Sequence, residues 1–383
     1  MSTNQVLYVR VTNNAAITGG GLSQNTLAKK LSINDCDEIV FVITTFKRVL
    51  LGLCSLLFKK RQAVFYISTI YSDTSLKSRF KQLVNKMIFE RVIKLFLEKG
   101  RSKWILDCFL PDFVTLLQPI GSAQRGSIMS VIRSSPHCFS WVSQPNRLKC
   151  FAKQLSMSDA FICASSDVAD MWAELTMGET PVINLPTPFL ENSADKLLID
   201  DFLEDETLNV VMIVGTVGPR KGVNLALRAI SKASSTLPGH SITIHIFGSI
   251  TGWKPDKYSD KLGPTVNIKE HGFKSLNLSV KPLKKCLFLF ASYSECFSRA
   301  QMEVVALGSP VLVNRYGLDS KIMKNIPSES VFSNHEDLAE KLVHAVMSNT
   351  ALELDYKPIQ SSIFCNSLTE NFEVGVEKIR NFG

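Results

Sequence analysis

Two carboxylates eight positions apart, Glu295 and Glu303, stand in the stretch LFLFASYSECFSRAQMEVVALGSPVLVNR, residues 287–315. An apolar, strand-like run leads into a polar loop, and a helix is expected to begin near Ser298. Glu295 then lies in the loop and Glu303 inside the helix. Helical side chains lean toward the N-terminus, so Glu303 can reach back to the pocket that Glu295 faces. The free amides of Phe297, Ser298 and Arg299 open toward the same place. Carboxylates beside such amides suit a polyhydroxyl ligand, because each accepts hydrogen bonds from neighbouring hydroxyls. A solvated surface pair is the plain alternative, and the apolar neighbours on both sides weigh against it.

A second charged group occurs in VGTVGPRKG, residues 214–222. A strand ends at Gly215, and Arg220 and Lys221 stand just before a helix. Two cations at a helix N-terminus oppose its dipole and are costly there unless an anion joins them. The spacing therefore points to a diphosphate site over a solvated pair of cations. A third candidate is the run Gly19, Gly20 and Gly21 after the first strand. Its backbone can approach a phosphate closely, or it can simply turn.

These residues need elements to hold them. Continuous apolar runs alternate with helical stretches, the pattern of parallel strands covered on both faces. In the first half, QVLYVRV, EIVFVIT, AVFYIST, PDFVTLLQP, HCFSWVS, DAFICAS and PVINLP read as strands, with a helix from about Ser122 to Ile132. A Pro-rich, then acidic segment, from about Pro186 to Glu206, reads as a connection. The pattern then restarts with NVVMIVG, SITIHIFGS, VNIKEHGF, CLFLFAS and SPVLVN as strands. HEDLAEKLVHAVMS is an amphipathic helix capped by Asn334 or Ser333. The expected architecture is α/β: two doubly wound Rossmann-like domains facing a cleft. The boundaries are 1–187, a linker over 188–207, 208–365, and a C-terminal helix over 366–383 crossing back to the first domain.

SYSECFSRAQMEVVALGSPVLVN resembles the E-x7-E signature of the family 4 retaining glycosyltransferases, which have the GT-B fold. VGTVGPRKG resembles that family's donor-diphosphate loop, with Lys221 at the place of its lysine. ITIHIFGS and VNIKEHGF resemble the strands that line the nucleotide pocket and end at Gly248 and Gly272. The likeness spans the chain but is specific from about 209 to 315. It implies that Glu303 binds the ribose hydroxyls and that Glu295 contacts the donor sugar beside the amides of Phe297 and Ser298. It also implies that Lys221 neutralises the leaving diphosphate, with Gly215 in the same loop. It implies no metal and no cofactor beyond the nucleotide sugar. Two departures stand out. The family's arginine after this strand is replaced by Thr216, with Arg220 as its substitute from the far end of the loop. The family's acceptor-side histidine has no equivalent, because His137 falls at the wrong end of HCFSWVSQPN. Ser143 or Gln144 lies nearer that place, and Gly20 and Gly21 fit an acceptor or phosphate loop.

Composition and charge bound the rest. The chain has 383 residues, 45% of them hydrophobic, and a net charge of +8. Residues 46–103 hold 14 basic and 3 acidic side chains, which accounts for the whole excess. Such a block suits an anionic partner. Phe80, Leu83, Val84, Met87, Ile88, Val92 and Leu95 recur at helical steps, as in a helix packed on the sheet. Packing alone does not explain the charge, so the segment is expected to make peripheral contact with anionic membrane. Few aromatics interleave with these charges, so no nucleic acid is expected. Nine cysteines without a CxxC pair argue against a disulfide frame or zinc ribbon. The N-terminus lacks signal-peptide character, and the longest apolar run is too short to span a bilayer.

The expectation is thus a retaining glycosyltransferase, cytoplasmic and peripheral on the inner membrane face. It would move a sugar from a nucleotide donor to a saccharide, lipid-linked acceptor in polysaccharide or glycolipid biosynthesis. The alternative is a catalytically weak nucleotide-sugar-binding subunit that recruits partners at the membrane.

Overall fold

The computed structural model describes residues 5–13, 36–43, 62–67, 76–97, 102–107, 111–117, 119–120, 125–133, 151–186, 197–205, 207–216, 219–249, 262–272, 276–277, 285–293, 298–306, 309–317, 320–323, 326–347 and 361–382, together with positions 24, 27–28, 30–31, 49, 274 and 295. The chain divides into two compact units. The first comprises Met1–Pro186 with Asn371–Gly383, and the second Thr187–Glu370.

The first unit is built on seven parallel strands: β1 (Gln5–Asn13), β2 (Cys36–Ile43), β3 (Gln62–Ile67), β4 (Ser102–Asp107), β5 (Ile128–Ile132), β6 (Ala160–Cys163) and β7 (Val182–Asn184). Their order is β3-β2-β1-β4-β5-β6-β7. Apolar side chains leave both faces, so each face must be covered. On one face α1 (Leu76–Leu97) and α2 (Pro111–Leu117) pack over Leu7, Val9, Phe41 and Trp104. Phe113 of α2 sits edge-on to Phe41, Phe89 and Trp104. α3 (Ser166–Leu175) follows β6, capped by Ser165. The other face is Tyr8, Ile105, Met129 and Ile162, and the end of the chain covers it: Phe372, Val376 and Ile379 join this core.

Several expectations change here. PDFVTLLQP is not a strand, since Pro111 opens the helix α2, where a missing amide proton costs nothing. A short apolar run has no period that separates helix from strand. The strand before it is SKWILD, which is absent from the strands expected on sequence grounds. The helix expected up to Ile132 gives way to β5, paired with β4 and β6. HCFSWVS lies outside the described residues. On α1 the buried side is Val84, Ile88, Phe89, Val92, Ile93 and Phe96, while Phe80, Leu83 and Met87 point outward.

The second unit holds a short pair, β8 (Leu197–Leu198) with β12 (Leu276–Asn277), and a parallel sheet. The sheet strands are β9 (Leu208–Thr216), β10 (Ile242–Ser249), β11 (Val266–Gly272), β13 (Cys286–Phe290), β14 (Val311–Asn314) and β15 (Val331–Phe332), in the order β11-β10-β9-β13-β14-β15. α4 (Val223–Ser235) and α6 (His335–Met347) cover one face through Leu227, Ile230, Leu338 and Leu342. α5 (Arg299–Ala306) contributes Met302 and Val304 to the other, beside Ile199, Leu203 and Phe288. Asn334 is the cap of α6. Its Oδ1 accepts from the Asp337 amide at 2.9 Å, and Asp337 Oδ2 accepts from the Ser333 amide at 2.9 Å, a reciprocal cap. The chain ends in α7 (Ser361–Asn381).

Each sheet starts in its middle. The chain winds outward from β1 through β2 to β3 and then returns beside β1 as β4. In the same way it winds from β9 through β10 to β11 and returns beside β9 as β13. At such a reversal two loops diverge at the carboxyl ends of the central strands, leaving room for a ligand.

Candidate functional site

In the second unit the two divergent loops carry the charges singled out in the sequence. The loop after β9 runs through a 3-10 turn, Pro219–Lys221, to Gly222, which caps α4 with φ 66°. A Cβ at Gly222 would stand 1.9 Å from the Ala291 carbonyl oxygen. Glycine is thus required twice, for the left-handed backbone and for the contact with the end of β13. The Tyr293 amide donates to the Arg220 carbonyl at 2.9 Å. The two loops are therefore joined backbone to backbone before any side chain acts.

Across this junction Lys221 Nζ donates to Glu295 Oε1, and Arg220 Nη1 lies 3.5 Å from Glu295 Oε2. Glu295 and Lys221 are mostly buried, while Arg220 is more exposed. The anion that the two cations demand at the start of α4 is thus a carboxylate of the chain itself. One carboxylate against two cations and a helix N-terminus leaves the site with positive charge. It is prepared for a further anion, or for a stronger one in place of the carboxylate.

The other predicted residues fall as follows. Ser298 begins α5, its carbonyl accepting from the Met302 amide at 3.0 Å. Glu303 lies on α5 and is partly exposed. Gly215 (φ 65°) is the next-to-last residue of β9, one short of the strand end expected there, and Gly272 (φ 66°) ends β11, both in left-handed backbone. Thr216 is the last residue of β9. Gly248 sits at a register shift between β10 and β9, where a Cβ would stand 2.5 Å from the Gly215 carbonyl oxygen. Close strand approach and a φ of 156° both ask for glycine there. Phe297, Gly20, Gly21 and Gln144, with His137 and Ser143, lie outside the described residues.

Sequence reasoning missed two features. Asn314, fully buried at the end of β14, donates from Nδ2 to the Ala291 carbonyl at 3.4 Å, and its Oδ1 accepts from the Tyr316 amide at 3.1 Å. It holds the next loop against the same strand end. In the first unit, Asp107 ends β4, with Arg133 Nε donating to its Oδ1 at 2.9 Å. Tyr8 Oη donates to Asp107 Oδ2, and Gln24 Nε2 donates to the Asp107 carbonyl at 2.8 Å. Burial and the Asp107 charge push the Tyr8 hydroxyl well above its usual pKa. The available signal was a charged residue at the end of each of two apolar runs, ILD and VIR.

A third polar group anchors the segment after β8. Asn209 Nδ2 donates to the carbonyls of Glu204 (2.8 Å) and Lys285 (2.9 Å), so its Oδ1 is the acceptor facing His245 Nε2 at 2.9 Å. That fixes the proton on Nε2, and His245 Nδ1 must accept from His271 Nε2 at 2.9 Å. His245 is therefore neutral in this chain of bonds. Burial lowers the His245 pKa to about 4, and burial likewise lowers that of His271.

The fold is the two-domain, Rossmann-like GT-B fold. Residues 195–358 match the family model of glycosyl transferases group 1. The crystal structure of Anabaena Alr3699/HepE in complex with UDP and glucose is similar with TM-score 0.63 and 12% identity, covering 98% of this chain and 99% of that one. WaaG, a glycosyltransferase involved in lipopolysaccharide biosynthesis, is similar with TM-score 0.64 and 12% identity, over 99% and 100% of the two chains. A glycosyltransferase from Rickettsia africae ESF-5 is similar with TM-score 0.60 and 16% identity, over the whole of both chains. A search of curated protein sequences finds no match.

Proposed function

We propose that this protein is a glycosyltransferase that moves a sugar from a nucleotide-sugar donor to a saccharide acceptor. The observation that carries the reading is the meeting of Lys221, Arg220 and Glu295 at the strand reversal of the second unit. It lies inside the region that matches glycosyl transferases group 1. The UDP and glucose held by a structural neighbour support a uridine donor.

In this reading Lys221, Arg220 and the start of α4 bind the diphosphate and stabilise its growing charge as it leaves. Glu295, displaced from Lys221 by that diphosphate, turns to the sugar hydroxyls. Glu303 holds the ribose. The bond from the anomeric carbon to the diphosphate oxygen breaks, and the acceptor oxygen bonds to that carbon on the same face. The acceptor proton passes to the departing phosphate oxygen, so configuration is retained and no protein nucleophile is needed. Side-chain cations stand where other enzymes use a metal. The acceptor is a lipid-linked saccharide in polysaccharide or glycolipid assembly, reached from the inner membrane face through the basic segment 46–103.

The test is a panel of nucleotide sugars scored by thermal shift, since a true donor stabilises by mass action. Product stereochemistry is then read by NMR, with and without chelator. Retained configuration and chelator-resistant turnover are expected. Inverted product or loss of activity in chelator would remove those parts of the reading.

A further inference from the structure

The helix α1 is apolar on two opposite sides. Inward it buries Val84, Ile88, Phe89, Val92, Ile93 and Phe96. Outward it shows Phe80 (55% exposed), Leu83 (54%) and Met87 (57%). At 100° per residue these three fall within an arc of about 60°. They form one stripe two turns long, directly away from the sheet. Single exposed apolar residues are ordinary, but an aligned set marks a contact surface.

Charge selects the occupant. Arg79, Lys86, Arg91 and Lys94 are exposed around the stripe. Glu90 is the one acidic side chain of the helix and lies 3.8 Å from Lys86. The surrounding segment 46–103 carries 14 basic against 3 acidic residues. A second copy of the chain would bring like charges together. A sheet of acidic lipid headgroups meets the cations and lets the three apolar tips pass below them.

We infer that the outward face of α1 is a membrane-docking surface for anionic lipid, with Phe80, Leu83 and Met87 entering the headgroup–acyl boundary. The inference rests on the membrane contact proposed above and names its surface and mode. Cations bring the protein to the bilayer, and the stripe holds it there. Binding should then depend on both terms. Salt weakens the first and leaves the second.

The experiment is cosedimentation of the full chain with phosphatidylcholine vesicles, with and without phosphatidylglycerol. Wild type should bind the acidic vesicles and bind the neutral ones weakly. A triple variant, Phe80→Ser with Leu83→Gln and Met87→Gln, should bind acidic vesicles at least about ten-fold more weakly. Lys86→Glu with Arg91→Glu and Lys94→Glu should lose binding too. A Met87→Trp variant, which removes no apolar surface, should keep binding and show blue-shifted emission on acidic vesicles alone. Wild-type binding by the apolar triple variant, or an unshifted emission from the Met87→Trp protein, overturns the inference. So does a wild-type dimer without lipid that the triple variant abolishes. UDP titration and sugar transfer to a lipid-free acceptor are run alongside. Docking without transfer defeats the proposed function and spares this surface, and transfer without docking does the reverse.

Discussion

Lys221 and Glu295 hold each other in the free protein, and this sets an exchange that can be measured. If the site binds a nucleoside diphosphate as proposed, that ligand must take Lys221 from the carboxylate, so Glu295 competes with it. Glu295→Gln should therefore bind UDP at least as tightly as wild type while its turnover falls, a split between affinity and rate that titration beside kinetics reads directly. Lys221→Ala should weaken UDP by about ten- to hundred-fold, the weight of a charged hydrogen bond of roughly 1.5–3 kcal/mol. A Glu295→Gln protein with weakened UDP binding and normal turnover would reverse these roles. Gly222 is the backbone condition for the pair. Gly222→Ala meets Ala291 at 1.9 Å in left-handed backbone, and should cost at least about 2 kcal/mol in denaturant unfolding. Much of this junction was legible, because a glycine loop and a cationic pair before a helix state their need for an anion. What the sequence could not show was that the anion comes from the chain, since the meeting depends on the β9–β13 adjacency. Asp107 and Arg133 escaped notice for a related reason: one ends β4 and the other follows β5, and only the sheet order makes those strands neighbours.

At the scale of elements, the His245–His271 relay ties the segment after β8 to β9, β10 and β11. His245 is neutral by hydrogen-bond logic, and protonating its Nδ1 would set two donors against each other. His245 titrates at about 4 when folded, against 6.5 when unfolded. The folded pKa is depressed, so the stabilisation is complete above 6.5 and is lost as pH falls from there toward 4. The integral is on the order of 3 kcal/mol. Denaturant midpoints measured from pH 7 down to 4.5 should drop accordingly, and His245→Asn should flatten that slope. An unchanged slope would show that the relay does not titrate with folding. Periodicity served the elements unevenly. α6 was readable from its stripe and its cap. α2 was not, because seven residues with four apolar ones fit a strand equally well. In α1 the step of three and four gathered two opposite faces into one list, and only burial separated them.

For the molecule as a whole, repetition made the fold readable. A chain that twice winds outward from a central strand and returns declares two doubly wound units, whatever becomes of individual segments. The departure from that plan is α7, which leaves the sequence of the second unit and finishes the core of the first. Gly375 lets it lie against β7, where a Cβ would stand 2.7 Å from Leu185. Removing residues 371–383 should lower the melting of the first unit and leave UDP binding by the second intact, a separation that calorimetry with and without UDP resolves. This seam has a consequence in time. During synthesis the β1–β7 sheet emerges first, yet Tyr8, Leu27 and Ile105 gain their last neighbours only after the ribosome has passed Ile379. The second unit can close while the first still waits. Of the two units the one made earlier is therefore the last to mature, and its open sheet face waits longest for cover.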